Sequence, residues 1–121
     1  MAYSRQIMIV DDDLVVLDAM QRLLVVWGYS TIAYSRFEDA RASLVSQSPD
    51  ALVVDVRLGE YNGLQLVYIA RQSNPSMAIV VVSGFDDPVL RNEAAHAGAV
   101  YLLKPTELLR LREHLPPPSV D

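Results

Sequence analysis

Short runs of apolar residues recur along the chain, each ending at a polar or turn-forming residue, and longer amphipathic stretches lie between them. The runs are too short for helices and rich in β-branched residues, which predicts strands buried within a sheet. The five predicted strands are residues 6–10, 31–34, 51–55, 78–82 and 100–103. The clearest is residues 51–55, where four apolar residues lead directly into the carboxylate of Asp55.

Apolar residues spaced three or four apart predict helices between the strands. The faces expected to be buried are Leu17, Met20, Leu24 and Trp27 in the first helix, Phe37, Ala40 and Leu44 in the second, and Leu108, Leu111 and Leu115 in the last. The expected N-caps are Asp13, Ser35, Asn62 and Thr106, with Pro88 in the first turn of the fourth helix. The first helix is expected to end at Gly28 and the third at about Gln72. The fourth is expected to end at about Ala97, before Gly98, and the last at the prolines 116–118.

The predicted elements alternate strand and helix five times, which is typical of an α/β protein with a doubly wound parallel sheet. A chain of 121 residues has the size of one domain. We expect that domain to cover residues 1–115. Residues 116–121 form a proline-rich tail, either a terminus or a linker to another domain.

Composition and charge restrict the function. The net charge of −5 argues against nucleic-acid binding by this chain, because phosphate backbones attract basic surfaces. The absence of cysteine excludes disulfides and thiolate metal sites. No apolar run approaches the roughly 18 residues that a membrane span needs, and the first apolar stretch ends at three aspartates, unlike a signal peptide. We therefore expect a cytoplasmic protein with no membrane contact.

Four of the predicted strands end in polar signatures, namely Asp11–Asp13, Asp55, Ser83 and Lys104. Parallel strands share one carboxyl edge, where ligands bind in open α/β sheets, so these side chains should converge. Clustered carboxylates repel one another, and Mg²⁺ is the natural counter-charge because it takes carboxylate and carbonyl oxygens. A lysine and a hydroxyl facing that metal leave room for a phosphoryl group. Asp55 is then the predicted nucleophile, forming an acyl phosphate.

At this point the chain resembles the receiver domain of two-component response regulators, a CheY-like family, over residues 5 to 115. The motifs are the acidic pair after the first strand, Asp-x-x-Leu-x-x-x-x-Gly from Asp55 to Gly63, the hydroxyl after the fourth strand, and Lys-Pro after the fifth. The resemblance implies a flavodoxin-like (βα)5 fold with strand order 2-1-3-4-5. It also implies a signalling domain that catalyses its own phosphorylation and dephosphorylation rather than an enzyme with an external substrate.

The resemblance also implies roles for individual residues. Asp55 matches the phosphoacceptor, and the Mg²⁺ ligands would be Asp11, Asp12 and Asp55 with the backbone carbonyl of Arg57. The phosphate-binding and switch residues would be Ser83, Lys104 and Tyr101, with Tyr101 turning inward after activation and a cis peptide bond before Pro105. The implied partner is a histidine kinase or a histidine phosphotransfer protein. A dimer partner or output domain would use the face of helix four, strand five and helix five.

Some positions depart from the commonest family pattern, namely Gly59, Gly84 and Thr106, but none of them removes a chemical group. The residues two beyond Asp55 and Ser83 are Arg57 and Phe85. In this family these positions tune the phosphoryl lifetime by admitting or blocking water. The bulky pair predicts slow hydrolysis.

Two other functions remain open at this stage. The first is a receiver-like module that binds partners without being phosphorylated. The second is a haloacid-dehalogenase-like phosphatase, in which Asp11 would be the nucleophile and Asp13 the acid/base. That reading leaves Asp55 unexplained, and it lacks the acidic motif after a strand that such enzymes need downstream of Lys104.

Overall fold

The computed structural model describes residues 3–120 and contains a five-stranded parallel sheet. Its strands are β1 (Gln6–Val10), β2 (Ser30–Tyr34), β3 (Ala51–Asp55), β4 (Ala78–Ser83) and β5 (Val100–Leu103). The order across the sheet is β2-β1-β3-β4-β5, with every neighbouring pair parallel. The predicted doubly wound sheet and its 2-1-3-4-5 order are therefore confirmed.

Helices cover both faces of this sheet. They are α1 (Leu14–Val26), α2 (Phe37–Ser46), α3 (Leu64–Ser73) and α4 (Pro88–His96). In β1, Ile7 and Ile9 belong to the core cluster that contains α1, whereas Met8 and Val10 belong to the cluster that contains α2, α3 and α4. Because successive strand residues point to opposite faces, a continuous apolar run is needed to fill both layers. Every residue of β3 is buried, which explains its uninterrupted apolar sequence.

The helix starts match the predictions in part. Asp13 caps α1 by accepting hydrogen bonds from the backbone N–H groups of Val15 and Val16, as expected. The predicted Ser35 cap is wrong, because α2 starts one residue later, after Arg36. Arg36 makes no side-chain capping hydrogen bond, and the acidic first turn of α2 supplies the negative charge that a helix N-terminus favours.

Asn62 was expected to be the N-cap of α3, but the N-cap position is taken by Gly63. The Asn62 side chain still performs a capping interaction, since its Oδ1 accepts a hydrogen bond from the N–H of Leu64 at 2.9 Å. At α4 the prediction of Pro88 in the first turn is confirmed, and Asp87 caps that helix.

The last predicted helix differs most from expectation. Residues Leu108–His114 form a 3-10 helix that begins after Glu107, so Thr106 is not its cap. The Glu107 carboxylate instead accepts a hydrogen bond from the N–H of Leu103 at 2.9 Å, which ties the segment to β5. The following prolines supply no N–H group to extend the segment into a longer α-helix. Leu111 still lies in the core, with 1% of its surface exposed.

The proline-rich segment is docked on the domain. The Tyr29 hydroxyl donates a hydrogen bond to the Pro116 carbonyl at 2.5 Å, and the Arg5 guanidinium donates one to the Pro117 carbonyl at 2.6 Å. Ser119–Val120 then pairs antiparallel with Tyr3–Ser4. The outer limits predicted for domain and tail, at residues 1 and 121, lie outside the described residues.

Within residues 3–120, no helix combines the length and the apolar character needed to cross a membrane.

Candidate functional site

Three carboxylates meet at the carboxyl edge of the sheet. One oxygen each from Asp11, Asp12 and Asp55 lies within 4.8 Å of the others. The parallel pairing of β1 with β3 brings the ends of these strands side by side, which is why residues distant in the sequence become neighbours. Asp11 is fully buried, Asp55 is 7% exposed, and Asp12 is open to solvent. These hard oxygen donors suit a divalent cation such as Mg²⁺.

Lys104 supplies the positive charge within the cluster. Its Nζ donates a hydrogen bond to Asp11 Oδ2 at 2.8 Å and lies 3.4 Å from Asp55 Oδ2. Burial lowers the pKa of Lys104, but the hydrogen bond to Asp11 and the charges of both carboxylates outweigh it, so the net shift is upward. Lys104 therefore stays charged. The Lys104–Pro105 peptide bond that follows is cis.

Asp55 is harder to ionise than an aspartate in water. Burial first and the charge of Asp11 second raise its pKa from 3.8 to about 6, against the opposing charge of Lys104. A cation bound beside Asp55 would favour the charged form of this carboxyl group and lower its pKa.

Asp12 is the exposed member of the cluster. Its Oδ2 accepts a hydrogen bond from the N–H of Gly59 at 3.1 Å, which anchors the short hairpin after Asp55. That hairpin pairs Arg57–Leu58 with Tyr61–Asn62. Asp12 also lines a cavity of about 230 Å³ between the hairpin and the start of α2. Solvent access at this carboxylate fits a magnesium ion, which usually keeps several water ligands.

Ser83 stands at the end of β4, beside Asp55. It is 4% exposed, and its Oγ accepts a hydrogen bond from the N–H of Phe85 at 3.1 Å. The hydroxyl hydrogen of Ser83 is therefore not used by that bond and can be donated to a ligand. Tyr101 on β5 is 6% exposed, and its hydroxyl donates a hydrogen bond to the Phe85 carbonyl at 2.7 Å.

The two bulky residues that flank the site contact each other. The guanidinium carbon of Arg57 lies 4.3 Å from the centre of the Phe85 ring, a cation–π geometry. The sequence indicated two large side chains but not that they meet. The role of the Arg57 carbonyl as a metal ligand stays a prediction.

Three further residues shape this region and were not given their roles from the sequence. Gly63 packs so closely under β3 that a Cβ atom there would overlap the Asp55 carbonyl oxygen. Arg91 pairs with Asp86 in the loop after Ser83. In the sequence, the motif from Asp55 to Gly63 marked Gly63. Asp86 and Arg91 carried no such signal, because their spacing matches no regular helical pairing.

A flavodoxin-like sheet with an acidic cluster, a lysine and a hydroxyl at its carboxyl edge defines a class of phosphoryl-binding signalling domains. Residues 7–116 match the family model described as response regulator receiver domain. The chain therefore belongs to the response regulator receiver domain family.

Two relatives support this assignment. The chain is 36% identical over 111 residues to the transcriptional regulatory protein ZraR of Salmonella typhimurium. The aligned region covers 90% of this chain and 25% of that protein. It is 32% identical over 123 residues to the photosynthetic apparatus regulatory protein RegA of Rhodobacter capsulatus, covering 95% of this chain and 67% of the relative. The chain thus spans about a quarter of the length of the first of these relatives.

Solved structures agree. A CheY-like response regulator receiver domain protein from Methanospirillum hungatei superposes with a TM-score of 0.84 at 25% identity, covering 92% of both chains. A response regulator from Burkholderia pseudomallei has the same TM-score of 0.84 at 24% identity, covering 93% of this chain and 66% of the other. The predicted family and its signalling function are confirmed.

Proposed function

We propose that Asp55 is the phosphoacceptor of this receiver domain, and that the donor is a phosphohistidine on a histidine kinase or a histidine phosphotransfer protein. The observation that carries the proposal is the meeting of Asp11, Asp12 and Asp55 within 4.8 Å, with Lys104 in contact with two of them. Receiver domains in general interact with such donors.

In the proposed reaction, an Asp55 oxygen attacks the phosphorus atom in line with the imidazole nitrogen. A new O–P bond forms while the P–N bond breaks, and the imidazole leaves with its electron pair and takes up a proton. Lys104 moves from Asp55 toward the transferred phosphoryl oxygens, and the Ser83 hydroxyl donates a hydrogen bond to one of them. Positioned charges of this kind are the main source of catalysis in phosphoryl transfer.

Asp11, Asp12 and Asp55 would hold a divalent cation, with the Arg57 backbone carbonyl as a further ligand. When bound, Mg²⁺ supplies the positive charge that neutralises the phosphoryl oxygens and the ionised Asp55. The Burkholderia pseudomallei response regulator was solved with a phosphorylated aspartic acid and a calcium ion, which supports a divalent cation in this fold.

Ser83 and Tyr101 would couple the presence of the phosphoryl group to the conformation of the protein surface. Tyr101 lies inward, with its hydroxyl bonded to the loop that follows Ser83. In the proposal, phosphorylation favours this arrangement, in which the loop and Tyr101 are held together. The face of α4, β5 and the 3-10 helix is the proposed contact surface for a second copy or an output domain. Self-catalysed dephosphorylation, a cytoplasmic location and the absence of direct nucleic-acid binding belong to the same proposal.

The test is intact mass spectrometry after incubation with acetyl phosphate and Mg²⁺. We expect one added phosphoryl group, which disappears in Asp55→Asn and when Mg²⁺ is chelated. Asp39→Asn, an exposed acid on α2, is the matched control and should be labelled like the unmodified protein.

Other outcomes point to the alternatives. A protein that no small-molecule or protein donor labels would be a phosphorylation-independent interaction module. A label that survives Asp55→Asn but is lost in Asp11→Asn would indicate the phosphatase-like reading. That reading is weakened by Asp13, whose proposed acid/base carboxylate caps α1 instead.

A further inference from the structure

The loop between β4 and α4, residues 84–87, is attached to the domain by one arginine as well as by Tyr101. The Nε and Nη2 atoms of Arg91 donate hydrogen bonds to Asp86 Oδ1 at 3.1 and 2.9 Å. The same guanidinium lies over the Tyr101 ring, with its carbon 4.7 Å from the ring centre. The Tyr101 hydroxyl in turn donates to the Phe85 carbonyl at 2.7 Å. These contacts form a closed circuit through Arg91, Tyr101 and the loop.

The circuit continues to the phosphoacceptor site. The N–H of Phe85 donates a hydrogen bond to Ser83 Oγ at 3.1 Å, so the position of the loop determines how the Ser83 hydroxyl is oriented. Ser83 is the side chain that would donate to the transferred phosphoryl group. A change in the contacts between Arg91 and the loop therefore alters the orientation of the Ser83 hydroxyl through the backbone of Phe85.

We propose that Arg91 is a positioning residue that holds Tyr101 inward and the 84–87 loop against it, and thereby raises the affinity of the Asp55 site for a phosphoryl group. This inference rests on the proposed function of Asp55. The coupling is reciprocal, because whatever lets the inward arrangement favour phosphoryl binding also lets phosphoryl binding favour the inward arrangement. The circuit gives this chain a bias toward the inward state before any phosphoryl group arrives.

The effect should be moderate. The Arg91 and Asp86 side chains are 41% and 64% exposed, and an exposed ion pair alone contributes little. The stacking on Tyr101 adds to it, because that ring is buried and its hydroxyl is already bonded to the loop. Shared use of one side chain makes the contacts interdependent. We therefore expect changes of about three- to tenfold in binding.

The test measures the dissociation constant of beryllofluoride with Mg²⁺, a phosphoryl mimic, by titration calorimetry. We expect Arg91→Met, which keeps the aliphatic stem, to weaken binding about three- to tenfold. Asp86→Asn should weaken it as well, and the double variant should be no weaker than Arg91→Met alone. The matched control is Arg22→Met, which removes an exposed arginine paired with Asp18 at 2.8 Å on α1. That variant should bind like the unmodified protein.

A second measurement does not depend on Asp55. In protein labelled with ¹³C on its tyrosine rings, the Tyr101 signal, assigned with Tyr101→Phe, should shift and broaden in Arg91→Met without any ligand. Arg91→Lys keeps the charge but loses the two hydrogen bonds to Asp86. Its Tyr101 signal should lie between those of the unmodified protein and Arg91→Met. A merely structural ion pair would lower the melting temperature and leave the binding constant unchanged, which would overturn the proposal.

The two proposals fail in different ways. If the unmodified protein does not bind beryllofluoride, the proposed function falls, and with it the part of this inference that concerns affinity. If it binds and Arg91→Met binds equally well, only the role of Arg91 falls. If the ring signal responds to Arg91→Met but binding does not, Arg91 positions Tyr101 without serving the Asp55 site, which also overturns the proposal as stated.

Discussion

At the scale of single residues, Asp55 shows how position in a sheet changes the chemistry of a side chain. An aspartate in water has a pKa of 3.8, whereas burial and the neighbouring charge of Asp11 raise the pKa of Asp55 to about 6 despite Lys104. The folded state therefore binds the Asp55 proton more tightly than the unfolded chain does. The stabilisation from that proton is present in full below pH 3.8 and is lost as the pH rises through 6.

This leads to a prediction for Asp55→Asn in metal-free protein. At pH 7.5 in a chelator we expect the variant to be more stable than the unmodified protein by about 1–3 kcal/mol, because the amide carries no charge to bury. The difference should shrink as the pH is lowered from 7 to 5. Urea denaturation across this range measures it.

Added Mg²⁺ provides the control. The cation should stabilise the unmodified protein, whose cluster it would occupy, and should stabilise Asp55→Asn less. A variant that is less stable at every pH would contradict the account of Asp55, since the ionised carboxylate would then be favourable as it stands.

A second residue-scale prediction concerns the contact of Arg57 with Phe85, 4.3 Å apart. If Asp55 is the phosphoacceptor, this stacked pair would restrict the approach of water to the acyl phosphate formed there. Arg57→Ala and Phe85→Ala should each shorten the phosphoryl lifetime by about two- to tenfold, equivalent to roughly 1 kcal/mol in the barrier. The decay of the phosphorylated mass after removal of acetyl phosphate measures the lifetime.

The two substitutions should not be additive, because either one removes the same contact. Glu60→Ala, an exposed change in the same hairpin, is the control and should leave the lifetime unchanged. A longer lifetime in either alanine variant would contradict the shielding role.

At the scale of elements, Arg71 joins the end of α3 to the end of α4. Its Nε donates to the Ala97 carbonyl at 2.9 Å and its Nη2 to the Gly98 carbonyl at 3.1 Å. Its Nη1 donates to the carbonyls of Pro75 and Met77 at 2.9 and 2.7 Å. Helix ends and turns leave carbonyl groups without partners, and the planar fork of one arginine satisfies four of them here.

Arg71→Met should therefore lower the free energy of unfolding by about 2–4 kcal/mol, since it removes four charge-assisted hydrogen bonds and leaves part-buried carbonyls unpaired. Arg71→Lys should recover only part of the loss, because an ammonium group cannot span the same carbonyls. Arg22→Met, in its exposed pair on α1, should cost less than about 1 kcal/mol. Chemical denaturation of the three variants separates these outcomes, and equal losses in Arg71→Met and Arg22→Met would contradict the account.

The elements also show where sequence reasoning failed. Residues 108–114 carry leucines at helical spacing, yet they form a 3-10 helix. The periodicity reports which side chains are buried, and Leu111 is indeed in the core. It does not report whether the backbone bonds follow the α or the 3-10 pattern, because both place residues three or four apart on nearly the same face. Ser35 also failed as a cap, because the N-cap position of α2 is taken by Arg36, whose side chain makes no capping hydrogen bond.

At the scale of the whole molecule, the segment from Pro116 to Val120 packs against the amino-terminal part of the domain. The carbonyls of Pro116, Pro117 and Pro118 accept hydrogen bonds from Tyr29 or Arg5, at 2.5 to 2.8 Å. We therefore expect the segment to contribute to stability.

The prediction is tested with Tyr29→Phe and Arg5→Ala. Loss of the tyrosine hydroxyl should cost about 1 kcal/mol, because it removes one part-buried hydrogen bond. Both variants should speed up hydrogen exchange at the amides of Ser119 and Val120, which pair with the amino-terminal strand. Tyr68→Phe, in an exposed tyrosine on α3, is the control. Unchanged exchange in both test variants would show that the segment is not held by these contacts.

The sequence by itself determined the order of strands and helices and the residues that end each strand. A strand buried on both faces must be apolar throughout, so the runs before Asp11, Asp55, Ser83 and Lys104 are visible without any structure. Parallel strands share one carboxyl edge, so the convergence of these four signatures follows from the same pattern. The physical reason is that these features depend on local residue order and on the period of the side chains.

Only the tertiary structure decided the contacts between side chains that the chain order keeps apart. Arg71 reaches carbonyls up to 27 residues away, and Tyr29 reaches the Pro116 carbonyl 87 residues away. Arg91 meets Tyr101 because α4 packs beside β5, and Arg57 meets Phe85 because two loops end at the same edge. Such contacts depend on distances and angles between packed elements, which hydrophobic periodicity does not encode.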